Sequence, residues 1–345
     1  KTITIFGNLD IQGGALIWYG NGTITQNFVV YGDVKVAPNA AIQAYSGATS
    51  QNMSIGGNLI NNTVGTIAGG TTTIRQCNFS LVPVTFFGNT SATISNTINS
   101  PLTVFDKVIL NKGNSQATTL TISIGGTLTT LTDNWLTLQN GTLIYNRTGN
   151  LNIATGTPLV IPASAGLTLN NSPSNITIGT NTTSGTILSL SGKLKLTNNF
   201  TGNVYIGTNG TTAASHNDIQ YSSAGTSAIE IASGNLFVNG QIRRDPSNAS
   251  GILSYTQTGG NVTIMGNAVA ASPANTNNAK LEVLNDGSQF TMSGGNLTLV
   301  RGGGGNIFGD LYLRPASGSV TGGTITFAPA ATGNQTFQIE SGLPL

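Results

Sequence analysis

Apolar and polar residues alternate along this chain with a period of two, in runs of three to five residues that Gly, Asn or Pro then interrupts. The stretch from Leu120 to Asn170 shows the pattern most plainly, with segments such as Leu151-Asn152-Ile153 bounded by turn residues. No window places apolar residues at i, i+3, i+4 and i+7 over the length a helix needs. A period of two puts every second side chain on one face of an extended strand, so the pattern predicts very short β-strands. The Ala-rich segments Ala268–Ala274 and the one beginning at Ala328 contain Pro and no periodic apolar face, and they read as loops.

One unit recurs: Gly, any residue, an apolar residue, a polar residue and a second apolar residue. It stands at Gly7–Ile11, Gly32–Val36, Gly149–Ile153, Gly192–Leu196, Gly202–Ile206, Gly234–Val238, Gly260–Ile264, Gly295–Leu299 and Gly309–Leu313, with Gly323–Phe327 close to it. The two apolar residues flank a polar one and so point the same way. Glycine is expected to supply a positive-φ corner, and an Asn after it tolerates the turn and can ladder with its neighbours. Gly7 to Gly32 is 25 residues and Gly234 to Gly260 is 26, repeat lengths that suggest solenoid coils of about 23–26 residues. Longer gaps predict coils with an extruded loop, as in residues 208–223, which hold His216 and Asp218. Gaps of 14, Gly295 to Gly309 to Gly323, predict two strands of one coil. The rival is a β-sandwich array, but sandwiches need longer strands and a more aromatic core than the 6% aromatic content here.

The expected fold is therefore all-β: an elongated parallel β-helix of short strands with irregular coil length. Residues 1–104 are the less regular, more aromatic part, and residues 105–345 are the regular solenoid. Loops or linkers are expected at Asn111–Ala117, 173–175, Pro246–Ser250 and Arg301–Asn306. Both termini read as strand, so the chain is expected to be a piece of a longer array.

Composition narrows the function classes. Charged residues are 7% of 345, against about a quarter in ordinary soluble domains, and Thr, Asn, Ser and 46 Gly fill the difference. A net charge of +2 with scattered Lys and Arg argues against a nucleic-acid surface, which needs a clustered basic face. The densest pair, Arg243-Arg244, is followed at once by Asp245. No run of 18 apolar residues predicts a membrane-spanning helix. The single cysteine, Cys77, excludes an intrachain disulfide and reads as a small buried apolar residue.

From Phe105-Asp-Lys-Val-Ile-Leu-Asn-Lys-Gly113 through Leu120–Tyr145 the chain resembles the β-solenoid regions of large Bacteroidota cell-surface proteins, often exported by the type IX system. The second half of the motif recurs at Gly166–Asn171 and Gly192–Asn199. The resemblance covers residues 105–345 well and 1–104 loosely, and the composition is also similar to filamentous-haemagglutinin and autotransporter β-helices. It implies an extracellular, cell-surface location and an adhesive or matrix role. The expected partners are other surface or matrix molecules, including carbohydrate, or further copies stacked end to end.

Candidate chemistry is sparse. Glycoside-cleaving β-helices need paired carboxylates, and the eleven acids contain no pair within three residues. Asp10 and Asp33, 23 apart, could stack on successive coils, although both read as outward turn residues. His216 lacks companions for a metal site and reads as a loop residue. Lys280 and Glu282, flanking Leu281, read as a surface pair. Gly302–Gly305 lacks the helix and the Lys-Ser/Thr that a phosphate loop requires. Asn-x-Ser/Thr sites, among them Asn52, Asn61, Asn140, Asn175, Asn261 and Asn296, barely exceed the number the composition would produce. Trp135, Tyr145, Tyr221 and Tyr312 are expected to be part-buried at coil corners. Trp18-Tyr19 is the candidate surface or carbohydrate contact, because adjacent strand residues face opposite sides and one must point outward. No catalytic, metal or cofactor residues are assigned. The reading is a structural and adhesive segment, with a self-assembling filament subunit and a polysaccharide-active β-helix enzyme as alternatives.

Overall fold

The computed structural model describes residues 1–18, 24–44, 51–64, 76–98, 101–132, 134–153, 158–171, 175–179, 185–207, 217–222, 225–266, 281–300, 310–328 and 336–345. The protein is all-β, with no helix among these residues, and its strands stack in parallel as a β-solenoid. It divides into two compact units, Lys1–Arg147 and Thr148–Leu345.

In the first unit each coil contributes up to three short strands. One face stacks Thr2–Ile5, Gln26–Val30, Gln51–Ile55, Val84–Gly88, Val108–Lys112 and the first half of Leu136–Tyr145. A second stacks Leu9–Ile11, Val34–Val36, Leu59–Asn61, Ala92–Ser95, Thr119–Ile122 and the second half of Leu136–Tyr145. The third stacks Gly14–Trp18, Ala40–Ala44, Cys77–Phe79, Leu102–Phe105 and Thr127–Thr130. Hydrogen bonds run from coil to coil, so each strand is stabilised by neighbours a full coil away in sequence.

The second unit repeats the scheme with longer excursions. One of its faces stacks Leu151–Ile153, Asn175–Ile178, Asn203–Ile206, Asn235–Val238 and Asn261–Ile264, then the last part of Leu281–Leu299 and of Leu311–Phe327. The apolar pairs of the recurring unit from Leu151 and Ile153 to Leu297 and Leu299, such as Val204 and Ile206 or Leu236 and Val238, are buried and stack on their neighbours. Each such side chain contributes roughly 1.5–3 kcal/mol by leaving water, which is why a two-residue apolar signal suffices to place a strand.

Register gives the coil lengths directly. Thr2 lies opposite Asn27 and Asn27 opposite Asn52, steps of 25 residues, but Met53 to Val84 is 31. In the second unit Ile219 to Ile242 is 23 and Ile242 to Leu281 is 39. The irregularity is as expected, while the 23–26 range describes only the shortest coils. Gly295 and Gly323 sit one coil apart, since Asn296 pairs with Thr324, so the 14-residue spacings do mark strands within one coil. Asn217–Tyr221 is a strand and not part of an extruded loop. Asn111 and Lys112 close the strand Val108–Lys112, so the loop there is shorter than expected.

The glycine rule splits in two. Gly260, with φ of +65°, takes a conformation that a Cβ would strain, as do Gly149, Gly234, Gly295 and Gly323 of the recurring unit. Gly32 does not have positive φ. It is required because a Cβ would lie 2.2 Å from Asn8 Oδ1 and 2.8 Å from the carbonyl of Gly7. Two physical needs thus produce one sequence signature.

The large aromatics correct a further expectation. Trp135, Tyr145, Tyr221 and Tyr312 are buried outright. Tyr221 manages this because its hydroxyl donates to the backbone oxygen of Glu282 at 3.0 Å. Phe79 and Phe105 stack inside the first unit, and Tyr255 and Phe290 inside the second, with centroids 5.4 and 5.1 Å apart.

Candidate functional site

The acids are the first place to seek chemistry. Asp10 lies opposite Lys35 and not opposite Asp33, so the suggested carboxylate pair does not form. Asp33 instead serves a corner. Asn8 Oδ1 accepts the Asp33 N–H at 2.8 Å, Asp33 Oδ1 accepts the Asn58 N–H at 2.8 Å, and Asn58 Oδ1 accepts the Thr93 N–H at 2.8 Å. Each side chain caps an amide of the next coil, where the turn would otherwise leave a donor unpaired.

Among the described residues three acids are buried. Asp218 accepts Arg243 Nε at 2.9 Å and the Gln241 N–H at 2.9 Å. Glu282 is paired with Arg244, which also donates to the Ala249 carbonyl at 2.7 Å. Asp310 accepts the Gln338 N–H at 3.0 Å. Glu282 therefore corrects the surface-pair reading, and Lys280 lies outside the described residues. Burial raises the Glu282 carboxyl above the usual range, and the Arg244 hydrogen bond opposes this without cancelling it. Neighbouring arginines with separate acids explain why Arg243-Arg244 forms no basic patch. In this setting the carboxylates hold the fold: their oxygens are engaged by guanidinium or backbone donors.

Lys112 is the inverse case. It is fully buried, and its ammonium donates to the carbonyls of Gly56 at 2.7 Å and Phe87 at 2.6 Å. Burial lowers its pKa to about 8. Cys77 is fully buried, and burial pushes its thiol far up, in keeping with the reading of a small apolar residue. Among the described residues no group of three or more His, Cys, Asp and Glu is arranged to hold a metal.

Trp18 ends the strand Gly14–Trp18. Tyr19, His216, Gly302–Gly305 and Ala268–Ala274 lie outside the described residues. The Asn-x-Ser/Thr amides are largely committed elsewhere: Asn61 is buried, Asn52 bonds Asn27 at 3.1 Å, and Asn140 bonds Asn111 at 2.8 Å.

What remains as functional surface is on the outside. In the first unit Phe6 and Tyr31 stack with centroids 5.5 Å apart, and Phe87 meets Tyr31 edge-on at 5.3 Å. Phe6 is 84% and Tyr31 53% exposed. Gly56 follows Ile55, which pairs with both Val30 and Phe86, so its missing side chain lets the Tyr31 and Phe87 rings close across an intervening coil. In the second unit Asn203, Asn235, Asn261 and Asn296 each donate to the amide oxygen of the preceding member of the row Asn175, Asn203, Asn235, Asn261, at 2.7–2.8 Å. This is the ladder expected for the residue after glycine. Two residues further along the same strands run Thr177, Tyr205, Phe237 and Thr263, with the two rings stacked 5.1 Å apart.

Sequence reasoning singled out Trp18-Tyr19 and missed the Phe6, Tyr31, Phe87 cluster, whose members are 25 and 56 residues apart and meet only through register. The chain, so described, matches no family model, no curated protein and no solved structure.

Proposed function

We propose that this chain is a structural and adhesive segment of a secreted cell-surface protein, a stalk or filament without catalytic activity. The observation that carries the reading is the division of labour among polar groups. The buried acids are engaged by internal partners, whereas the outer strand positions carry long rows of uncharged Asn, Thr and aromatic side chains. Such rows offer many weak, repeated contacts in place of one deep site, and multivalency turns those into firm attachment. The resemblance of residues 105–345 to Bacteroidota surface solenoids supports the same role. The test is to coat beads with the purified chain and measure retention on immobilised matrix polysaccharide, while assaying the eluate for reducing ends and unsaturated products. Retention without product is expected. Product formation by fresh protein would establish an enzyme, and no retention on any matrix would remove the adhesive role.

A second reading, a self-assembling filament subunit, is favoured by one feature. The last coils of the second unit leave an apolar groove of about 260 Å³ lined by Met292, Val320, Ile325, Phe327, Ile339 and Leu345. Sedimentation over a wide concentration range decides it, because a chain that stays monomeric throughout does not stack.

A further inference from the structure

We propose that the face of the second unit bearing the asparagine ladder binds a neutral, extended polysaccharide laid along the stack of coils. The inference rests on the adhesive reading and names its ligand and its surface.

The first argument is charge. Along this face the outward positions are Asn150 and Asn152, Asn175 and Thr177, Asn203 and Tyr205, Asn235 and Phe237, Asn261 and Thr263, Asn296 and Thr298, then Thr324 and Thr326. None is ionisable at neutral pH. The preceding strands of the same coils, by contrast, place Lys193, Lys195 and Glu230 in a surface ion cluster at 2.7–2.8 Å. Among the described residues of the ladder face a polyanion would find no cation, and a basic partner would find no carboxylate.

The second argument is hydrogen-bond accounting. A side-chain amide has two N–H donors and two acceptor lone pairs. Asn203, Asn235 and Asn261 each donate once and accept once within the ladder. Each therefore keeps a second donor and a second lone pair for solvent or ligand, held in place by its neighbours. These repeat once per coil, at roughly the 4.8 Å spacing of hydrogen-bonded strands. Sugar hydroxyls both donate and accept, so a chain of sugars complements a row in which every unit does both.

The third argument is the aromatic pair. Tyr205 and Phe237 are half-buried on the outside of the sheet, roughly 7 Å from the ladder, two residues along an extended strand. Their stacked rings give the polar face an apolar strip against which the hydrocarbon side of a sugar ring packs, with Thr177 and Thr263 extending it as hydroxyls. A second protein copy fits less well, because this face supplies neither the broad apolar core nor the charged rim of a stable interface.

The test is affinity electrophoresis of the full chain in gels containing a neutral polysaccharide (xylan or mixed-linkage β-glucan) or polygalacturonate. Retardation is expected only in the neutral gels. Thr263→Glu, which sets a charge in the middle of the face, and Tyr205→Ser, which removes half of the aromatic strip, should each weaken binding by about tenfold or more. Val160→Lys, on a different face at a position 52% exposed, should leave it unchanged. Thermal melts confirm that each variant folds, and two variants of different chemistry guard against one that does not. The proposal is overturned by retardation in polygalacturonate alone, by no retardation in any neutral gel, or by folded variants that bind as the parent does. It is equally overturned if Thr263→Glu abolishes self-association instead, since the face would then be a copy-to-copy contact. Bead retention that survives both variants would sink this inference and leave the adhesive reading standing.

Discussion

The two units bury charge in opposite ways. Among the described residues of Lys1–Arg147 the buried ion is Lys112, and its partners are two backbone carbonyls from earlier coils. In Thr148–Leu345 the buried ions include Asp218 and Glu282, each matched by an arginine from one strand, Ile242–Arg244. The difference follows from what a coil corner has to spare. Corner carbonyls that are not fully used by the ladder can solvate an ammonium. A carboxylate needs donors: Asp218 takes the Gln241 N–H, and Asp218 and Glu282 each take an arginine from an adjacent coil. A buried cation is thus compatible with glycine-rich corners alone, whereas Asp218 and Glu282 are each held with a second charged residue.

Removing a counter-ion in the second unit is the most severe way to break this comparison. Arg243→Met leaves Asp218 in the interior without its cation and is expected to cost about 3–5 kcal/mol, read as a fall in the urea midpoint. If the midpoint barely moves, Asp218 is solvated by some other route and the contrast between the units fails.

A steric test in the first unit comes next. A Cβ at Gly56 would sit 2.3 Å from the Tyr31 carbonyl oxygen, so Gly56→Ala must push two coils apart at the corner that Lys112 ties together. A loss of roughly 2–3 kcal/mol is expected, together with a change in tyrosine fluorescence as the exposed ring cluster opens. Gly287→Ala in the second unit is milder, about 1 kcal/mol, because its Cβ would meet only the Ile252 side chain at 3.4 Å and the cost is mainly its φ of +89°.

Lys112 itself gives a prediction in pH. Burial lowers its pKa from the ordinary 10.5 to about 8, so between these values the unfolded chain holds more protons than the folded one. Stability contributed at this site therefore rises with pH from about 8 to 10, by at most about 1.4 kcal/mol per pH unit. Above pH 10 the buried Tyr221 and Tyr255 act the other way, since burial raises both hydroxyls and the unfolded chain loses those protons first. The difference in unfolding free energy between the parent and Lys112→Met, measured at pH 8, 9 and 10, isolates the lysine. A flat difference would show that its ammonium is not desolvated.

The ladder supplies the smallest effect. Asn235→Ala removes a donor and an acceptor from the middle of an exposed row, and about 0.5–1.5 kcal/mol is expected. Asn52→Ala in the first unit, which interrupts a shorter run from Asn27, should cost less. Equal costs would mean that neighbouring amides in the longer row do not reinforce one another.

Much of the fold was legible in the sequence, because two apolar residues flanking one polar residue can bury themselves in only one way in a strand. Leu151 and Ile153, Val204 and Ile206, and Val262 and Ile264 are interior as their spacing implies. The asparagine after glycine was legible too, since its place at the start of each strand repeats from coil to coil. Much less of the candidate site could be read. Glu282 looks like half of a surface pair beside Lys280, and Lys112 like a turn residue before Gly113. Nothing local says that their partners stand 38 and 56 residues earlier.

The sequence by itself determined the period of two, the uncharged exterior and the columns of Val, Ile and Leu, because each depends on residues within one strand. The tertiary structure decided which coil lies against which. Coil lengths of 23 to 39 residues cannot be phased from turn signals, since one inserted loop shifts every later register without altering the local pattern. That register brings Phe6, Tyr31 and Phe87 together, separates Asp10 from Asp33, and sets Tyr205 on Phe237 beside an unbroken row of amides. In a solenoid the strand is a local property and the surface is a sum over coils, so the surface emerges only when the coils are stacked.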